Sequence, residues 1–156
     1  MLTPEKQLAL AIKIASEVHV NQFDKGGKPY ILHPLYVMQQ VLFDTELAAI
    51  AVLHDVIEDG QGEATLEKLR SMGFSERVLV ALDLLTHKEG QDYLESYIPL
   101  ICTNYDAIRV KRKDLEHNSN ITRLKGVREK DFKRLEKYHK AFSMLEKAKK
   151  KFNAKA

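Results

Sequence analysis

The sequence predicts an all-α protein, a single helical bundle over residues 1–156. Three observations carry this. Apolar residues recur at helical spacing in segment after segment, alternating strand patterns are scarce, and the seven glycines and all prolines but Pro99 fall between or at the edges of periodic segments. At 17.9 kDa the chain has room for one sizeable core.

The elements follow in order. Pro4 and Glu5 open a first helix whose Leu8, Ala11, Ile12, Ala15 and His19 share a face. Asp24-Lys-Gly-Gly-Lys-Pro29 reads as a turn-rich loop, and a second helix is expected after Pro34. A third, from about Thr45 to Asp59 before Gly60, is apolar on nearly every side and so belongs at the centre. Further helices are predicted over Thr65–Met72, Ser75–Thr86, Asp92–Cys102, Asn104–Leu124 and Lys130–Phe152. The last is lysine-rich. Residues 123–156 hold 13 of the 25 basic residues against four acidic ones, leaving 12 basic and 18 acidic residues upstream. That segment reads as a solvated helix face or as a basic rim for a phosphorylated ligand. The interleaved Glu129, Asp131, Glu136 and Glu146 argue against a nucleic-acid partner.

Composition narrows the function classes. The longest apolar run, Leu47 to Leu53, is seven residues, against the roughly 20 a membrane-spanning helix needs. Cys102 is the only cysteine, which excludes an internal disulfide or a multi-cysteine metal site. No secretory signal is visible at the N-terminus, so the expectation is a cytoplasmic protein whose metal ligands, if any, are His, Asp and Glu.

Chemistry concentrates at the end of the central helix, in His54-Asp55-Val56-Ile57-Glu58-Asp59. At about 100° per residue the four polar side chains span about 140°, on a helix otherwise apolar. Carboxylates crowded there call for a positive partner, and a divalent cation supplies it at one point. His33, in Tyr30-Ile-Leu-His33-Pro34, and Asp114, four residues before Asn118, could complete a two-His, two-carboxylate set. Such a mixed N/O set suits Mn²⁺, Fe²⁺, Zn²⁺ or Mg²⁺.

These segments together are similar to one family. Gly27-Lys-Pro-Tyr-Ile-Leu-His-Pro34, then His54-Asp55 with Glu58-Asp59, then Asp114 with His117-Asn118, resemble the HD-domain alarmone hydrolases, the hydrolase half of the RelA/SpoT family with its small stand-alone members. The resemblance runs from the first helix to about Leu145. It implies an HD-domain helical bundle and a Mn²⁺-dependent (p)ppGpp 3′-pyrophosphohydrolase producing pyrophosphate and GDP or GTP. It puts metal ligands on His33, His54, Asp55 and Asp114, and the catalytic acidic pair on Glu58 and Asp59. Nucleotide contacts fall on Lys25, Asn118 and Tyr138, with Lys111 as a phosphate contact. His117 is expected to support the site rather than ligate. Of the other candidates, His19 is expected to be structural, His87 to act at a helix C-terminus, His139 to be exposed and Cys102 to be buried.

One position departs from the family. A basic residue that packs against guanine commonly precedes the position of Lys25, and here it is Asp24. Asp24 could pair with a neighbouring lysine or accept hydrogen bonds from guanine, which leaves (p)ppApp and NADPH as alternative substrates. A non-catalytic nucleotide-binding module is the rival from another class. The partner expected is a small nucleotide rather than a membrane or nucleic acid, and a homo-oligomer is left open.

Overall fold

The computed structural model describes all 156 residues, and every regular element in it is helical. The elements are α1 (Pro4–Val18), α2 (Leu32–Gln39), α3 (Thr45–Leu53), α4 (Val56–Asp59), α5 (Leu66–Ser71), α6 (Glu76–Leu85), a π-helical turn (Tyr93–Tyr97), α7 (Ile98–Ile101), α8 (Tyr105–Asn118), a 3₁₀ turn (Ile121–Arg123) and α9 (Glu129–Lys155). Their starts are fixed by side chains that satisfy otherwise orphaned N–H groups. Asp44 accepts from Leu47 N at 3.1 Å, Asn104 from Ala107 N at 2.9 Å, and Thr65 from Lys68 N at 3.2 Å.

α3 is the axis of the bundle. All seven residues from Leu47 to Leu53 are buried, as the uniformly apolar pattern requires, with α1, α2, α6 and α8 packed around them. The core is one continuous cluster of 31 buried residues. α9 lies along α8, sealing it with Ala141 and Leu145 and leaving its lysines in solvent. No helix is long and apolar enough to cross a membrane. Arg77 of α6 ties three elements together, bonding Asp44 at 2.6 Å, Glu46 at 3.1 Å and Asp106 at 2.8 Å.

Four boundaries differ from the sequence expectation, each for a local reason. The helix predicted from Thr45 to Asp59 breaks at His54–Asp55. His54 Nδ1 lies 2.7 Å from the Ala51 carbonyl, the acceptor that a continuing helix would offer to Asp55 N–H. Asp55, at φ −105° and ψ −3°, redirects the chain, and α4 restarts with Asp59 N donating to Asp55 O. α2 begins at Leu32, so that Pro34 sits in its first turn, where a missing N–H costs nothing. The predicted Asp92–Cys102 helix opens as a π turn, ahead of Pro99, which has no N–H for the Glu95 carbonyl. α8 stops at Asn118, where Asn120 caps a separate 3₁₀ turn. Cys102 is half-buried rather than buried, because it closes α7 at the seam with α9, 3.9 Å from Met144 O.

Candidate functional site

The break after α3 does more than end a helix. It turns the His54 and Asp55 side chains toward α2 and α8, where His33 and Asp114 wait. His54 Nε2 lies 3.0 Å from Asp55 Oδ2 and 3.4 Å from Asp114 Oδ1, and His33 Nε2 is 3.0 Å from the same Asp114 oxygen. His33, His54 and Asp55 offer ligand atoms all within 4.8 Å of one another. His54, His33 and Asp114 are buried, while Asp55 is partly open.

The donor set fits a divalent cation. With Ala51 O accepting the Nδ1 proton, the neutral His54 imidazole presents its lone pair at Nε2, and that atom is buried without a hydrogen-bond partner. His33 has the matching arrangement. Its Nδ1 is 2.7 Å from His117 Nδ1, so a proton on His33 Nδ1 leaves Nε2 free to ligate. His117 lies edge to edge with His33 and stacks on Tyr36, and burial with Arg123 nearby lowers its pKa to about 4, which keeps it an acceptor. Burial alone would push the His54 imidazole toward neutrality, but the Asp55 and Asp114 carboxylates reverse this and raise its pKa well above the usual value. Their field thus calls for positive charge at that point, whether a proton or a metal. Against its own burial, Asp55 is held at about 2 by His54.

Around these four, other side chains fix the carboxylates. Tyr30 donates its hydroxyl to Asp55 Oδ2 at 2.5 Å. Lys111, almost fully enclosed and 5.2 Å from the Tyr97 ring centre, donates to Asp114 Oδ2 at 2.8 Å, and Asn118 Nδ2 donates to Asp114 Oδ1 at 2.8 Å. Glu58 accepts from the His87 backbone N–H, and Gln22 Nε2 donates to Asp59 Oδ2 at 3.1 Å. Burial and the neighbouring Asp55 raise both the Glu58 and Asp59 carboxyls above the ordinary range, with those two hydrogen bonds opposing.

Beside this cluster opens a pocket of about 290 Å³ lined by Gln22, Lys25, Tyr30, Asn118, Arg123 and Tyr138 among others. Lys25 is exposed on its rim, where partial burial and the charges of Arg134, Lys130 and Lys137 lower its pKa. Asp24 does not pair with a lysine. Its Oδ1 accepts from Lys28 N at 2.9 Å and its Oδ2 faces Arg123 at 3.6 Å. Gly26 lets the two loops meet, since a Cβ there would lie 2.4 Å from the Arg123 carbonyl oxygen. Lys111 is held at Asp114, away from the pocket lining.

Tyr30, Gln22 and Arg123 were not among the sequence-derived candidates, and His19 was expected only to pack. Tyr30 stands inside the segment that supplies His33, which is the one signal available for it. Nothing in the spacing brings Gln22 to Asp59, 37 positions away. Of the other histidines, His139 is exposed, and the His87 ring packs tilted against Tyr97, 4.7 Å between centres, while its Nε2 lies 2.7 Å from Gln91 O.

No family model matches the chain. Individual proteins do. A guanosine-3′,5′-bis(diphosphate) 3′-pyrophosphohydrolase of Aquifex aeolicus is 31% identical over 140 residues, 85% of this chain and 20% of that protein. The bifunctional (p)ppGpp synthase/hydrolase SpoT of Escherichia coli is 32% identical over 123 residues, 72% of this chain and 18% of its own length. The Haemophilus influenzae 3′-pyrophosphohydrolase is 36% identical over 117 residues, covering 67% of this chain and 17% of that protein. The chain thus spans about a fifth of the length of the curated relatives it matches. Through that shared stretch, the chain is related by descent to the HD-domain alarmone hydrolases.

Proposed function

We propose that the chain is a Mn²⁺-dependent phosphohydrolase that removes the 3′-pyrophosphate of (p)ppGpp. Water adds to the phosphorus bound to O3′, the P–O3′ bond breaks, pyrophosphate leaves, and the 3′-hydroxyl of GDP or GTP takes a proton. One observation carries the reading. Three side chains of the pocket wall each donate a hydrogen bond to a carboxylate of the site: Tyr30 to Asp55, Gln22 to Asp59 and Asn118 to Asp114. A nucleotide in that pocket would therefore abut the acid and imidazole cluster directly.

His33 Nε2, His54 Nε2 and the carboxylates of Asp55 and Asp114 would hold the metal, which when bound supplies Lewis acidity at the phosphoryl group. The chain's own groups do the rest. Glu58 and Asp59, with raised proton affinity, take a proton from the attacking water and return one at O3′. Lys25 and its cationic neighbours attract the polyphosphate, Tyr138 walls the pocket, and Asn118 presents its amide at the junction with Asp114. Lys111 would reach a phosphate only by leaving Asp114. Relatives named for this activity at 31–36% identity support the substrate class. The proposed setting is the cytoplasm, with the nucleotide as partner.

The test is pyrophosphate release from ppGpp with Mn²⁺, beside Asp55→Ala, with ppApp in parallel and NADPH followed by orthophosphate release, because Asp24 is spent on Lys28 and Arg123. Release abolished in Asp55→Ala establishes the reaction, and the substrate ratio reads base preference. A folded, Mn²⁺-binding protein that releases pyrophosphate from neither alarmone refutes the proposal.

A further inference from the structure

We infer that Gln22, set in place by His19, is a positioning residue that orients the Asp59 carboxylate, an assignment that rests on the acid–base role proposed for Asp59. The two acids of α4 are held differently. Glu58 is gripped by a backbone N–H, that of His87, which no side-chain substitution removes. Asp59 closes a four-residue helix just before Gly60, its side chain 30% exposed, and the hydrogen bond from Gln22 Nε2 at 3.1 Å is what holds its carboxylate.

The amide of Gln22 is directed in turn. Its Oε1 lies 2.7 Å from His19 Nδ1, so the imidazole N–H donates there and the NH₂ end must face Asp59. A flipped amide would put oxygen against carboxylate oxygen, and its NH₂ would find an acceptor at His19 Nδ1 only if the imidazole proton moved to Nε2, which is buried without a partner. His19 cannot turn away to water. It is 1% exposed, packs 5.0 Å from the Tyr30 ring, and its Nε2 is buried without a partner. The direct approach of His19 Nδ1 to Asp59 Oδ2 is 3.8 Å, too long for a hydrogen bond, so the influence passes through Gln22. The relay runs from the end of α1 to the end of α4, and Gln22 also lines the pocket, so an occupying nucleotide would shield this bond from water.

The test is steady-state hydrolysis of ppGpp at saturating Mn²⁺ by wild type, Gln22→Ala, Asp59→Asn and the double variant, each with a thermal melt. Gln22→Ala is expected to lower kcat about 10-fold, the worth of one charge-assisted hydrogen bond, with KM within about threefold. In the Asp59→Asn background it should add nothing further, because its effect passes through that carboxylate. His19→Asn, whose Nδ2 takes the place of the imidazole Nδ1–H, should keep most of the activity, whereas His19→Leu should behave like Gln22→Ala. Independently of turnover, the side-chain amide signals of Gln22 in a ¹H–¹⁵N spectrum should move on Asp59→Asn. A rise in KM at unchanged kcat, an additive double variant, or amide signals that stay in place would overturn the positioning role while leaving the proposed reaction intact. A wild type that releases no pyrophosphate would overturn the reaction itself and this role with it.

Discussion

Replacing Tyr30 by Phe removes one oxygen and leaves the ring in its packing, 5.0 Å from His19 and 5.6 Å from His33. That oxygen donates the 2.5 Å hydrogen bond to Asp55 Oδ2, a contact between a phenol and an ionised carboxylate. Hydrogen bonds to charged groups contribute about 1.5–3 kcal/mol. At about 1.4 kcal/mol per factor of ten, the loss corresponds to Mn²⁺ affinity about 10- to 100-fold weaker, within the range found for partners that orient a metal ligand. The upper half of that range is less expected, because Asp55 remains partly open to water, which can replace the lost donor. Isothermal titration of the metal-free protein with Mn²⁺ near pH 7 reads the effect directly, and a melting curve confirms that the fold is kept. A Tyr30→Phe protein that binds Mn²⁺ within twofold of wild type would show that this hydroxyl does not orient Asp55 as a ligand.

Other consequences can be measured on the same protein. Glu58→Gln keeps the side-chain shape but not the proton affinity, so kcat for ppGpp should fall by about 10²–10⁴ while Mn²⁺ binding stays near wild type by titration. Against the upward push of burial, Arg77 and Arg109 hold Asp44 and Asp106 below the ordinary carboxylate range. Stability from depressed carboxylates is fully present above the unfolded pKa of about 3.9 and is lost as pH falls through the folded values, so urea midpoints should drop steeply below about pH 4. Arg77→Met should cost roughly 1–2 kcal/mol at pH 7, discounted because the guanidinium is partly in solvent, and the gap from wild type should narrow at pH 3. Ile50→Ala, at a fully buried position of α3, should lower unfolding free energy by about 2–5 kcal/mol in urea titrations, with a metal site that still binds Mn²⁺.

Much of the fold was legible because the residues that decide it act locally. Thr3, Asp44, Thr65, Ser75 and Asn104 stand at helix starts where their oxygens cap the next turn, and the unbroken apolar run Leu47–Leu53 leaves α3 nowhere to go but the centre. The chemistry-bearing types were legible for a related reason. An imidazole and three carboxylates beside an apolar helix cannot be buried without a positive partner, whatever the tertiary arrangement.

What the sequence could not decide depended on which groups meet across long separations. A helical wheel placed His54, Asp55, Glu58 and Asp59 along one continuous helix, but the His54 imidazole takes the Ala51 carbonyl and turns the chain there, and only that break aims the ligand atoms toward His33 and Asp114. The tie between Asp24 and Arg123 spans nearly a hundred positions, and that between Gln22 and Asp59 joins α1's end to α4. Periodicity has no reach over such distances, because it records which face of an element is apolar and not which polar atoms another element brings to it. The sequence by itself determined an all-helical bundle and the kinds of group at its centre. The tertiary structure alone decided which oxygen and nitrogen atoms converge, and which of them Tyr30, Gln22, His117 and Lys111 hold in place.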